Sequence, residues 1–163
     1  MKTNLSKRGY SVLKEELSPS EILDLKSELT VKPFINGDYG VKPKSFPAFC
    51  ESINKLYLPR FYGQKKYGLP TDNKLIEPKS ININFSKNLK EKQLPIVDAY
   101  LKAAKSEGGG IISVPCGYGK TVIALYIAAK LKVKTLVVVH KEFLLNQWKE
   151  RIKEFIPDAK IGR

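Results

Sequence analysis

The chain has 163 residues and a formal net charge of +13, with 42% hydrophobic and 28% charged residues. These values are ordinary for a globular protein, and the length allows one good hydrophobic core or two small ones. The sequence contains no apolar run long enough to cross a membrane and no signal-peptide core. Two isolated cysteines, Cys50 and Cys116, predict a reducing compartment. The positive charge is spread along the chain and favours a polyanionic partner.

Residues 1–84 predict a small α+β accessory domain. Ser18 is the predicted N-cap of a helix, because Pro19 follows it and Glu21 completes a capping box. Strands are predicted at 10–13, 30–35, 52–58 and 80–85. The second of these is expected at a sheet edge because it contains a proline.

Aromatic and basic residues are mixed at 58–68, in the sequence LPRFYGQKKYG. Aromatic rings beside cations can stack on bases and neutralise phosphates. Arg60 and Lys65 are therefore candidate nucleic-acid contacts. The alternative is an ordinary loop whose aromatic side chains cap the small core.

Residues 85–163 have the pattern helix, strand, loop, helix, strand, helix. The helix predicted at 92–106 stops at three consecutive glycines, and the helix at 121–132 is apolar nearly all round, as expected for packing on a sheet. The strands predicted at 111–114 and 135–139 are expected to be parallel and joined by that helix in a right-handed unit, the second strand buried. Residues 159–163 predict the start of a third strand.

Between the first of these strands and the helix, residues 114–121 read VPCGYGKT. Gly117 and Gly119 would let the backbone curl so that its N–H groups converge on phosphate oxygens. Lys120 would place its ammonium between the β- and γ-phosphates of ATP, and Thr121 would offer its hydroxyl to Mg²⁺. Val114 stands where the consensus G-x-x-x-x-G-K-[ST] has its first glycine. The alternative is a glycine turn without a ligand.

ATP and Mg²⁺ are accordingly the expected cofactors. The predicted nucleotide-binding residues of the loop are Pro115, Cys116, Gly117, Tyr118, Gly119, Lys120 and Thr121, of which Lys120 and Thr121 are the predicted catalytic residues.

A short apolar residue followed by PCGYGKT resembles motif I of superfamily 2 helicases and translocases. Upstream, LKEKQLPIV at 89–97 looks like the segment that opens the motor in XPB-like and large-DNA-virus helicases. Downstream, HKEFLLNQW at 140–148 is similar to motif Ia. The chain thus resembles an N-terminal fragment of a superfamily 2 DNA helicase or translocase of XPB-like, large-DNA-virus or phage type, ending after motif Ia. This implies an α/β fold: a partial RecA-like P-loop NTPase domain at 85–163, with a truncated parallel sheet, after the accessory domain.

The resemblance implies roles for residues outside the loop. The amide of Gln93 would contact the adenine edge, the alternative being a solvated glutamine at a helix start. His140 and Lys141, together with Gln147, would hold the phosphate backbone of a single nucleic-acid strand. Trp148 lies at helical spacing from other apolar residues and is predicted to be part of the core.

The intact protein would couple ATP hydrolysis to movement on DNA or to its unwinding, and its substrate would include a single strand or a duplex. Turnover also needs an acidic D-E-x-[DH] motif and a second RecA-like domain, which this sequence lacks, so the fragment alone is expected to be inactive. The alternatives are a restriction- or remodelling-type translocase that does not unwind DNA, and a nucleotide- or DNA-binding module without turnover. No membrane partner is expected. The expected location is the cytoplasm, or the nucleus, virus factory or virion for a viral protein.

Overall fold

The computed structural model describes residues 1–33 and 44–162, which lie in two compact units, Met1–Glu77 and Pro78–Arg163. These units divide at 77/78, close to the predicted domain boundary at 84/85. Residues 78–84 lie in the second unit because they pack against its helices. The end of the strand predicted at 30–35 lies outside the described residues.

The first unit is built around a five-stranded sheet. The described strands of the unit, in chain order, are β1 (Thr3–Ser6), β2 (Gly9–Leu13), β3 (Thr30–Val31), β4 (Phe46–Pro47), β5 (Cys50–Glu51), β6 (Lys55–Leu58) and β7 (Asp72–Asn73). The sheet has the order β5–β6–β2–β1–β7, and β3 pairs with β4 separately. Neighbours are antiparallel except for β1 and β7, which are parallel. The predicted strand at 10–13 is confirmed, whereas that at 52–58 begins only at Lys55, after a turn in which Ser52 Oγ accepts from the Lys55 amide.

Two helices cover one face of this sheet. Helix α1 (Pro19–Glu28) begins with the predicted capping box, in which the Ser18 hydroxyl accepts from the Glu21 amide and the Glu21 carboxylate accepts from the Ser18 amide. Helix α2 (Arg60–Tyr67) forms in the segment whose alternative interpretation was an ordinary loop. Gly63 of α2 lies directly against the buried Tyr10 of β2. The core comprises Leu5, Tyr10, Val12, Leu17, Leu25, Leu29, Leu56 and Leu58.

The second unit contains three longer helices, α3 (Leu94–Ser106), α4 (Lys120–Leu131) and α5 (Glu142–Phe155). A 3-10 turn at Glu91–Gln93 precedes α3. Buried side chains of α4 enter two apolar clusters, one with Val97 of α3 and the other with Phe155 of α5. This agrees with the all-round apolar pattern of the α4 sequence. None of the helices in the described ranges is long and apolar enough to cross a membrane.

The predicted parallel strands of the second unit are not formed. Within residues 78–162 the only strand pairing is one antiparallel bridge, between Ser80 and Val133, and residues 159–162 form no strand. Leu136 and Val138 are 85% and 84% exposed, and Ile111 is 96% exposed. A buried strand needs hydrogen-bonding neighbours and covered faces. Ile112 packs on the cluster of Val97, Ile123 and Ile127, but no described segment pairs with 111–114 or 135–139. The expected buried βαβ unit was therefore wrong, although helices and sheet together keep the chain in the mixed α/β class.

Residues 78–86 form a linking segment that packs on the second unit. The Ser80–Val133 bridge holds its start, and Ile83 is buried in the cluster between α4 and α5. The ring of Phe85 stacks on that of Phe155, with centroids 5.4 Å apart. The predicted strand at 80–85 is thus reduced to a single bridge, and its apolar residues serve the helical core.

Candidate nucleotide-binding and nucleic-acid-binding sites

The phosphate loop, residues 114–121, has the curled backbone that its glycines predict. Gly117 and Gly119 have φ angles of +77° and +84°, in the left-handed region that residues with a Cβ rarely adopt. A Cβ on Gly117 would meet nothing within 4 Å, so only its backbone angle favours glycine. A Cβ on Gly119 would also come within 2.6 Å of Gln93 Nε2. Backbone conformation therefore favours glycine at both positions, and at Gly119 a side chain would also displace the Gln93 amide.

Helix α4 begins directly after this curl, with Gly119 as its N-cap. The first amides of a helix have no intrahelical acceptor, and the helix dipole makes this end attractive to anions. The first turn, which the structure describes in full, carries no acidic side chain that would compete with a bound anion for these amides. The loop and the start of α4 together can therefore present several N–H donors to a phosphate group.

Lys120 folds back across the loop. Its Nζ donates to the Pro115 carbonyl oxygen at 2.9 Å, and the Tyr118 amide donates more weakly to the same oxygen at 3.4 Å. The side chain of Thr121 is half-buried in the first turn of α4. The ammonium is thus held at the loop, where a phosphate oxygen could replace the carbonyl as its acceptor.

Gln93 lies beside the phosphate loop, with 4% of its surface exposed. Its Oε1 accepts from the Lys90 amide at 3.0 Å, and its Nε2 donates to the Tyr118 carbonyl at 2.9 Å. The structure therefore brings Gln93 to the glycine-containing loop predicted to bind phosphate, and both ends of its amide are engaged with the protein. The predicted contact with adenine stays a prediction.

Lys92 is a neighbour of the loop that the sequence did not indicate. Its Nζ lies 4.4 Å from the centroid of the Tyr118 ring, in a cation–π contact. The two residues are far apart in sequence and belong to no common motif, so no local signal could have paired them. Cys116, also in the loop, is an exposed free thiol.

His140 and Lys141 meet at the N-terminus of α5, where both are exposed. They line an open groove of about 350 Å³ together with Val137, Val138, Val139, Glu142 and Leu145. Gln147 is exposed further along α5, about 9 Å from Lys141 along the axis by helical rise. Trp148 packs on the cluster between α4 and α5, which confirms its predicted core position.

Arg60 and Lys65 lie on α2 in the first unit. The Arg60 guanidinium stands 5.4 Å from the centroid of the Phe61 ring, and Phe61 is 49% exposed. Tyr62 and Tyr67 instead pack against the core, in agreement with the alternative interpretation that aromatic side chains of this segment cap the small core. The outer part of α2 still combines an aromatic ring with cations, because Lys65 is exposed one turn after Phe61.

Comparison with known proteins assigns a class to this arrangement. Residues 86–162 match the family described as "Type III restriction enzyme, res subunit". The chain is 36% identical to a putative ATP-dependent RNA helicase of Acanthamoeba polyphaga mimivirus, over 99% of this chain and 32% of the relative. It is 34% identical to a putative helicase of Invertebrate iridescent virus 6, over 86% of this chain and 30% of the relative.

A DNA 3′-5′ translocase, XPB2, of Sulfurisphaera tokodaii is 46% identical over 42% of this chain and 15% of the relative. The chain is thus similar to superfamily 2 helicases, and the match to the family model covers residues 86–162. Within that superfamily its relatives are of the viral and XPB-like types, as the sequence predicted. The chain spans about a third of the length of the viral relatives, and the match to the mimivirus protein includes the first unit.

Proposed function

We propose that this chain is the ATP-binding part of a nucleic-acid-dependent motor, and that its phosphate loop holds the phosphates of ATP. The observation that carries the proposal is the pair of left-handed glycines, Gly117 and Gly119, placed directly before α4. That geometry supports converging N–H donors, and Lys120 stands on the same loop as a cation. The match of residues 86–162 to a helicase-type family supports the same conclusion.

The chain's own residues would share the work of binding. Amides of the loop and of the first turn of α4 would donate to β- and γ-phosphate oxygens. Lys120 would exchange the Pro115 carbonyl for these oxygens. Thr121 would supply the hydroxyl ligand of a Mg²⁺ ion that neutralises phosphate charge. This fits the described residues, which contain no cluster of three or more His, Cys, Asp or Glu side chains, because Mg²⁺ usually binds through phosphates, waters and few protein ligands.

The N-terminus of α5 is the proposed contact for a nucleic-acid strand. His140 and Lys141 place polar and positive side chains beside unpaired helix amides, a combination that suits a backbone phosphate. We retain DNA as the proposed substrate, and the mimivirus relative, whose name specifies RNA, makes RNA the alternative. Hydrolysis coupled to unwinding or translocation would also require an acidic motif and a second RecA-like domain.

Alkylation of Cys116 tests the nucleotide site. MgATP at about ten times its Kd should slow alkylation of this thiol about tenfold, because only the nucleotide-free fraction of the loop reacts. Cys50, an exposed thiol in the first unit, provides an internal control and should react at an unchanged rate. Peptide mapping after a timed reaction measures both. Circular dichroism establishes that the chain is folded. If Cys116 of the folded chain is then alkylated at the same rate with and without MgATP, the proposal is rejected.

The salt dependence of strand binding tests the α5 contact. Lys141→Ala should lower the slope of log K against log salt by about 1, because one phosphate contact is lost. His140→Ala and Gln147→Ala should weaken affinity without that change in slope. Lys105→Ala, which removes an exposed lysine from the last turn of α3, is the matched control. Fluorescence anisotropy with single-stranded DNA and RNA of one sequence separates the two substrates.

The same titrations with duplex DNA test α2. If Arg60→Ala and Lys65→Ala leave both the affinity and the salt slope unchanged, the first unit makes no phosphate contact there. If Lys141→Ala behaves like Lys105→Ala, the proposed contact at α5 is wrong.

A further inference from the structure

Two successive residues of the segment before α3 hold Tyr118 from different directions. Gln93 donates from Nε2 to the Tyr118 carbonyl, although the two residues are 25 positions apart. Lys92 places its ammonium over the Tyr118 ring. The phosphate loop is thus attached, at the residue just before its second glycine, to a part of the chain outside the loop.

Gln93 is itself fixed in place. It ends the 3-10 turn Glu91–Gln93, is almost fully buried, and accepts the Lys90 amide on Oε1. The absence of a side chain at Gly119 gives its Nε2 room beside the loop, since a Cβ there would come within 2.6 Å of that atom. The amide group of Gln93 therefore has one defined orientation, with its NH₂ end toward the loop backbone.

The hydrogen bond from Gln93 to the Tyr118 carbonyl also fixes the direction of the next N–H group, that of Gly119. The carbonyl of Tyr118 and the N–H of Gly119 belong to one planar trans peptide, in which they point in opposite directions. Holding the carbonyl toward Gln93 therefore turns the Gly119 N–H to the opposite side. That N–H is one of the donors that the curled loop can offer to a phosphate.

We propose that Gln93 is a positioning residue of the phosphate loop, which orients the Gly119 N–H toward bound phosphate by holding the Tyr118 carbonyl. The inference rests on the proposed nucleotide site. It differs from an adenine contact because it acts on the phosphates, and so does not depend on the base. Lys92 supports the same arrangement by restraining the Tyr118 ring.

Gln93→Glu tests this role with little change in size. The carboxylate can still accept from the Lys90 amide, but it cannot donate to the Tyr118 carbonyl and instead places a negative oxygen against it. Binding of MgATP, MgGTP and inorganic triphosphate should each weaken about tenfold or more, and by similar factors. Gln93→Met, which removes both the donor to Tyr118 and the acceptor for the Lys90 amide without adding charge, should weaken binding of the three ligands in the same parallel manner. Isothermal titration calorimetry measures all three.

An adenine contact has a different signature. If Gln93→Met weakens only MgATP and leaves MgGTP and inorganic triphosphate unchanged, the positioning role is wrong and base recognition is right. Asn146→Asp makes the same amide-to-acid change at an exposed site on α5 and should leave all three affinities unchanged. If both Gln93 variants bind the three ligands as the wild type does, the positioning role is wrong but the proposed nucleotide site stands. If the wild-type chain binds none of the three ligands, the proposed nucleotide site is rejected.

A local effect on the loop separates positioning from unfolding. Without nucleotide, Gln93→Met should change the alkylation rate of Cys116 while leaving that of Cys50 as in the wild type. Trp148 lies in the same unit as Gln93, so the urea dependence of its fluorescence measures the stability of that unit. If Gln93→Met lowers this stability, the changed reactivity of Cys116 reflects destabilisation and the positioning role is not supported.

Discussion

Lys120→Ala is expected to weaken MgATP binding by about a hundredfold or more, which amounts to loss of detectable binding at micromolar nucleotide. A hydrogen bond to a charged group contributes about 1.5–3 kcal/mol, and Lys120 would make such bonds to both the β- and γ-phosphates. Each 1.4 kcal/mol is a factor of about ten in Kd. In the part of the chain that the structure describes, the Lys120 side chain donates to a neutral carbonyl, that of Pro115, so the fold should tolerate its removal.

Lys130→Ala is the matched control for this experiment. Lys130 is exposed near the C-terminal end of the same helix, where its ammonium lies over the Tyr126 ring, and its removal makes the same change in net charge. It should leave the Kd for MgATP within about twofold of wild type, because a screened surface charge contributes little. Equal loss of affinity in the two variants would mean that general positive charge, and not the loop, attracts the nucleotide.

Gly63→Ala is expected to destabilise the first unit by about 3 kcal/mol, at the upper end of overpacking effects. The new Cβ would come within 2.4 Å of the Tyr10 ring atoms. Tyr10 has no free space to move into, because it is fully buried and its hydroxyl donates to the Gly68 carbonyl. Helix α2 would have to move away from β2, which would also expose Leu58 and other core residues to water.

Urea denaturation followed by circular dichroism measures this loss of unfolding free energy. Lys65→Ala, at an exposed position of the same helix, should change stability by less than about 0.5 kcal/mol. Trp148 is the single tryptophan and lies in the second unit, so its fluorescence follows that unit separately. A Gly63→Ala variant as stable as wild type would show that α2 does not pack on Tyr10 as described.

Features set by neighbouring residues in the chain could be predicted from the sequence. The capping box at Ser18 and the curl at Gly117 and Gly119 depend on local hydrogen bonds and backbone angles, and the structure has both. The end of α3 likewise follows from the three glycines after it, and α4 follows from its apolar sequence. The roles of the loop residues in binding nucleotide remain predictions, although their positions suit those roles.

Features set by distant residues could not be predicted in the same way. The apolar run at 135–139 has the composition of a buried strand, but burial requires neighbouring segments, and Leu136 and Val138 are exposed. The bond from Gln93 to Tyr118 joins residues without a common motif. Helix α2 was missed because its mixture of aromatic and basic residues has no clear period, while Gly63, unfavourable within a helix, is there to admit Tyr10.

The linking segment also determines where a foreign N-terminal module can be fused to the second unit. A chimera that placed a foreign N-terminal module immediately before Phe85 would discard Ile83 and the Ser80–Val133 bridge, and would leave the cluster between α4 and α5 open to water. A junction at 77/78 would keep these contacts intact. A chimera should therefore contain the whole second unit, including its linking segment.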